Sequence, residues 1–246
     1  MKKLIFSIIG MICVINLAAA DDLVLPPKLD LMRYIAGDIK VDLNSDYRAK
    51  SDIRIWGWSR TGKIAISEEE TTVLGLQFID YYILDLTNDE KVFSLLVYSH
   101  RWEEQFLSNI SEQGIAVLYN LHKDAISNAN ARHGIIYSHA SLLSFPLYHL
   151  SGGFYDLYDC RANVYSVYPW LTYDIVIIRN QRRTKIINSN SIGESDTNYW
   201  VNMHICGYIM SPFENRIVVI AALERAGNGE GLVWEFVGCN LDVGFD

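Results

Sequence analysis

The stretch Arg54–Ser67, "RIWGWSRTGKIAIS", constrains the fold more than any other part of the chain. Bulky residues alternate through "RIWGWS", "RTGK" carries the glycine of a tight turn, and "IAIS" resumes an apolar run. Period-two alternation on both sides of a glycine turn specifies a β-hairpin. Two more strand-like runs follow at once, "GLQFIDYYILDL" and "KVFSLLVYS", joined by the polar turn "TNDE". Four such runs in close succession form an antiparallel meander, so the chain is read as mainly β.

The same order of signals returns near the C-terminus. "CGYIMSPFENRIVVI" at 206–220 repeats the glycine, aromatic, serine, turn and apolar run. Gly57 matches Gly207, Trp58 matches Tyr208, and Ser59 matches Ser211 after a two-residue insertion. The next strands correspond too, "GLQFIDYYILDL" from Gly75 and "GLVWEFVGCNLDV" from Gly231. This is the signature of an internal repeat. The stretches "WSRTGKIA" and "MSPFENRIVV" resemble the inner hairpin of a β-propeller blade of the TolB or WD40-like kind. The resemblance covers about a quarter of the chain; it implies blade-like meanders and carries no activity with it. A closed propeller needs at least about four units of some forty residues, and two are legible. The expected fold is an incomplete propeller or a sandwich-like arrangement.

A helical insertion at about 100–130 separates the two units. Trp102, Phe106, Ile110, Gly114, Val117, Leu118, Leu121 and Ala125 recur at spacings of three and four, with Ser99 placed to cap and Glu103 and Glu104 in the first turn. Strands resume in "FYDLYDCRANVYSVY", then in "YDIVIIR" and "TKIINS" around the basic turn "RNQRRTK". No linker-like composition interrupts residues 21–246, which are read as a single β-rich domain.

Residues 1–20 are read as a signal peptide. Lys2 and Lys3 precede an apolar run from Leu4 to Leu17, and Ala18-Ala19-Ala20 supplies the small residues of a cleavage site before Asp21. The apolar run falls short of the roughly 20 residues that cross a bilayer, and no later run reaches that length. The expected product is exported, periplasmic or extracellular, with no integral membrane segment after cleavage. Without Lys2 and Lys3 it has 19 basic against 29 acidic residues. That balance argues against nucleic acid as a partner, because phosphate contacts need a concentrated basic surface. Cys160, Cys206 and Cys239 would remain, an odd number too widely spaced for a CxxC motif, and whether two of them pair is left open.

The motifs of chemistry are sparse. The six histidines lack the second ligand of zinc-peptidase patterns, no GxSxG elbow occurs, and "GNGEG" at 227–231 reads as a hairpin turn. "EEE" at 68–70 is read as a solvated loop. No cofactor, metal site or catalytic residue is assigned. The most suggestive surface is aromatic: Tyr155, Tyr158, Tyr165, Tyr168, Trp170 and Tyr173 crowd together with Asp156, Asp159 and Asp174 between them. That composition suits stacking on a carbohydrate or gripping a peptide, and equally suits tyrosines alternating into a sheet core. The function these features favour is a non-enzymatic binding or structural module. The alternative is a secreted or periplasmic hydrolase whose site is formed by strand-end loops.

Overall fold

The computed structural model describes residues 23–31, 50–71, 77–98, 112–138, 140–151, 153–167, 170–193, 198–227 and 231–246. The expected signal peptide lies outside these residues, as do Ser99 to Ile110 of the expected insertion. The described fold is mostly strand. A first sheet holds β1 (Lys28–Leu29), β2 (Lys50–Trp58), β3 (Lys63–Thr71), β4 (Gln77–Asp85) and β5 (Glu90–Tyr98). Helices α1 (Glu112–Leu121) and α2 (Lys123–His133) follow. A second sheet holds β6 (Leu147–Ser151), β7 (Phe154–Val167), β8 (Trp170–Arg179) and β9 (Arg183–Gly193); a third holds β10 (Asn198–Met210), β11 (Arg216–Gly227) and β12 (Gly231–Asn240). Every strand pairs antiparallel with its neighbour in sequence inside its sheet, the pattern that short hairpin connections produce.

Strand parity sorts these sheets into layers. One face of the first sheet, with Ile53, Ile55, Trp58, Ile64 and Tyr82, meets Ile209, Val218, Ile220 and Phe236 of the third. The opposite face of the third sheet, with Val219, Ala221, Leu223 and Val237, meets Tyr158, Leu171, Tyr173 and Ile175 of the second. The outer face of the first sheet is covered by the helices, through Trp56, Ile79, Tyr81 and Ile83 against Ile115, Tyr119, Ile126 and Ala129. The order is therefore helices, first sheet, third sheet, second sheet. Strand β11 runs through the middle, and each residue from Ile217 to Glu224 is buried because both of its faces are covered.

The two hairpins matched in sequence share local geometry. Each has a bulge at its glycine, between Ile55 and Gly57 and between Ile205 and Gly207. Gly57 (φ 151°) and Gly207 (φ 147°) both adopt left-handed backbone. The reason is contact as well as torsion: a Cβ would come within 2.2 Å of Ile136 O at Gly57 and within 2.4 Å of Leu143 O at Gly207. Residues 135–138 and 140–143 form a strap on the two hairpins, with Trp58 and Ile136 exchanging backbone hydrogen bonds of 3.1 and 2.8 Å, and Tyr208 and Leu143 two of 2.9 Å. Trp58 and Tyr208 are both buried under their turns. Ser59 Oγ accepts the Thr61 and Lys63 backbone N–H groups, and Ser211 Oγ accepts that of Phe213.

Two expectations are corrected. "EEE" at 68–70 is no loop: it lies inside β3, and Glu69 is buried. Arg54 Nε donates to Glu69 Oε1 at 2.6 Å, Tyr119 Oη lies 2.7 Å from Ser67 Oγ and 3.0 Å from Glu69 Oε1, and Trp56 Nε1 donates to Ser67 Oγ at 2.9 Å. A buried carboxylate is tolerable only with such partners. The helical stripe is only partly in phase. Leu118 packs on the core as expected, but Val117 and Leu121 face solvent while Ile115 and Tyr119 are buried, so the covered face is rotated by about 100°, one residue, from the expected one. Tyr119 turns inward because its hydroxyl completes the polar network on β3.

Candidate functional site

The crowded aromatic segment occupies β7 and β8, and strand alternation divides it. On β7 the even positions face inward: Tyr158 is buried and its hydroxyl donates to Leu241 O at 3.1 Å. On β8 the odd positions do so: Tyr173 is fully buried, with its hydroxyl donating to Glu235 Oε2 at 2.6 Å. Asn188 Nδ2 donates to Glu235 Oε1 at 2.6 Å, so β8, β9 and β12 are pinned together at this point. Burial of Glu235 raises its carboxyl above the ordinary range, with the bonds from Tyr173 and Asn188 opposing that shift. Tyr158 and Tyr173 thus hold the second sheet onto the third and are removed from solvent.

Tyr155, Tyr165 and Trp170 point the other way, onto the outer face of the second sheet, at 73%, 57% and 53% exposure. Tyr168 lies outside the described residues. Tyr155 sits opposite Leu150 at the β6 end, whereas Tyr165 sits opposite Thr172 at the far end of β7. Ten residues of strand separate the two, about 33 Å at 3.3 Å per residue, so they cannot grip one small ligand together. Tyr165 and Trp170 are diagonal neighbours, a relation that places backbones about 7–8 Å apart and side chains on one face.

Trp170 has an unusual bed. It pairs with Gly193 across the β8–β9 ladder, and a Cβ on Gly193 would lie 2.9 Å from the indole Cζ3. The ring therefore lies over the glycine instead of standing off a neighbouring side chain. Around it the outer face is polar. Asn163 pairs with Asp174, and Asp174 with Ser189; Thr172 pairs with Ser191, their hydroxyls 3.1 Å apart. Two exposed rings thus share this face with a short carboxylate, an amide and several hydroxyls. The sequence held the signal for this division, since Tyr155 and Tyr165 share parity while Tyr158 differs. What it lacked was the identity of the covered face.

Buried His149 Nε2 has no hydrogen-bond partner among the described residues, whereas His204 is paired. His204 Nε2 lies 3.2 Å from Glu224 Oε2 between neighbouring strands, a partner that spacing in sequence did not disclose. Among the described residues Cys160, Cys206 and Cys239 are free thiols, and burial pushes them up, to about 12 at Cys206 and about 11 at Cys239, with Cys160 raised as well. Thiols so shifted remain protonated at neutral pH and are poor nucleophiles. Among the described residues no group of three or more His, Cys, Asp or Glu converges as a metal site, and no described helix is long and apolar enough to cross a membrane. No family model matches the chain, and neither a curated protein nor a solved structure matches it.

Proposed function

We propose that the protein is an exported, non-enzymatic binding module that takes an uncharged carbohydrate on the outer face of the second sheet. Trp170 and Tyr165 are its stacking platforms. The observation that carries this reading is Trp170 laid over Gly193 and half exposed, with Tyr165 beside it on the same face. A pyranose ring offers a flat C–H face to aromatic rings and equatorial hydroxyls to groups at their edge, and Asp174, Asn163 and Ser191 stand at that edge. The order of basic, apolar and small residues in 1–20 supports export, and the matched bulges at Gly57 and Gly207 support reading the first and third sheets as blade-like repeats.

Titration with neutral oligosaccharides, followed by indole fluorescence, tests the binding reading. One soluble glucan, one chitin-derived and one xylan-derived series cover the main ring substitutions. At least one should bind, and Trp170→Ala should abolish binding while shifting stability by no more than about 0.5 kcal/mol, as for a surface side chain. Binding unchanged in Trp170→Ala, or absent with all three series, would sink the assignment. Export has its own check: N-terminal sequencing of the exported product should begin at Asp21, and a product still carrying Met1 would contradict it.

A further inference from the structure

The β6–β7 hairpin outruns the rest of its sheet. The last residue of β8, Arg179, pairs with Tyr158, and the β8–β9 turn folds back at the level of Leu157 and Asp156. Asn180 fixes that level: its N–H donates to Leu157 O at 2.7 Å and its Nδ2 to Asp156 Oδ1 at 2.6 Å. Beyond it, the rows Leu150–Tyr155 and Ser151–Phe154 pair only with each other's strand, so the tip of the ribbon projects about 7–10 Å past the turn. Apolar side chains leave both faces of this ribbon. Tyr148, Leu150 and Tyr155 point to the outer face and are exposed. Phe154 shares the parity of buried Tyr158 and points to the other face, yet it is 79% exposed, and no core residue of the third sheet packs on it.

We infer that this tip anchors the protein to a lipid surface with anionic headgroups. Apolar rings on both faces call for a medium that surrounds the ribbon. A flat partner protein covers one face and leaves the other in water, whereas the headgroup region takes in both. Aromatic side chains settle at that depth, and an interfacial element sits roughly 5–10 Å into the headgroup and acyl boundary, which matches the projection.

The cations stand where the phosphates then lie. Arg182 and Arg183, at the β8–β9 turn, are exposed and have no ion-pair partner among the described residues. The acids of this end are mostly engaged: Asp156 binds Arg179 and Asn180, Asp242 accepts from Asn215, and Asp159 shares a strand face with Arg161 two residues on. Asp246 reaches the same side, its N–H donating to Thr184 O at 3.2 Å, one acid beside two arginines. Over the whole chain acids outnumber bases, 29 to 21, so an anionic surface repels most of the molecule and attracts this turn. That contrast sets the orientation, tip toward the lipid. Tyr165 and Trp170, at the far end of β7, then stand clear of it.

A polarity-sensitive fluorophore on Phe154→Cys, in the full chain carrying Cys13→Ser, reads the tip itself. Burial keeps Cys160, Cys206 and Cys239 protonated and slow to label. Vesicles of phosphatidylglycerol and phosphatidylcholine in equal parts should brighten the emission and move it to the blue, at least about tenfold more tightly than phosphatidylcholine alone. The same fluorophore on Ser189→Cys, about 26 Å back along the sheet, should stay silent. In the labelled chain, Arg182→Gln together with Arg183→Gln should weaken the response at least about tenfold, and so should Tyr155→Asp. Both change exposed side chains, and circular dichroism checks that the fold is kept. A tip probe that ignores anionic vesicles overturns the inference, including where the chain binds them through its apolar run at 4–17. Equal responses at 154 and 189, or a response indifferent to the arginines and to Tyr155, overturn it as well. Because the tip and Trp170 lie at opposite ends of the sheet, failure of anchoring and failure of carbohydrate binding are separate results.

Discussion

At the scale of single residues, the glycines of the two matched hairpins occupy positions that no side chain can take without displacing backbone. Gly57 and Gly207 each combine left-handed backbone with a carbonyl oxygen in the space a Cβ would occupy. The residues that follow them, Trp58 and Tyr208, are buried and exchange backbone hydrogen bonds with Ile136 and Leu143 of the strap. Replacement by alanine must therefore strain the torsion and push the strap away, breaking a pair of backbone hydrogen bonds. Gly57→Ala and Gly207→Ala should each cost about 2–4 kcal/mol. Gly134, also left-handed but with open space around its missing Cβ, should tolerate alanine at the lower cost of torsion alone, about 1 kcal/mol. Chemical denaturation of the three variants compares them directly, and equal losses at all three would show that the close approach of the strap does not matter.

At the scale of elements, strand and turn were legible in the sequence where alternation met a glycine or a polar turn. The hairpins at Gly62 and at the basic turn 179–183 fall where expected, the latter with Asn180 and Gln181 both at positive φ. The helical segment was legible as helix but not in rotation, because Tyr119 counts as polar on any apolar stripe until its hydroxyl finds Ser67 and Glu69. Glu69 failed for the complementary reason. A run of three glutamates reads as solvated, and only a tertiary partner, Arg54 on the adjoining strand, makes one of them a core residue. The aromatic segment shows the same limit. Alternation fixed which tyrosines share a face, yet whether that face met the third sheet or solvent depended on packing between strands distant in sequence. The parity pattern predicts contrasts within a strand; layer order decides their sign.

At the scale of the whole molecule, that layer order implies an uneven stability. The third sheet lies between two others, and β11 is its central strand, bonded to β10 on one side and β12 on the other. Its residues from Ile217 to Leu223 contribute to the cores on both faces. Exposing their amides requires both inter-sheet cores to open, which amounts to global unfolding. Among the described residues the second sheet packs another sheet on one face, and β6, five residues long, forms its edge with a single hydrogen-bonded neighbour. Its loss uncovers little beyond Leu147 and leaves the central cores in place. Native-state hydrogen exchange should therefore be slowest in β11, near the global limit, and much faster in β6, with β4, paired on both sides and covered by the helices, also slow. Exchange in β11 as fast as in β6 would mean that the sheets separate readily, and that the third sheet is not the stable centre on which the other layers rest.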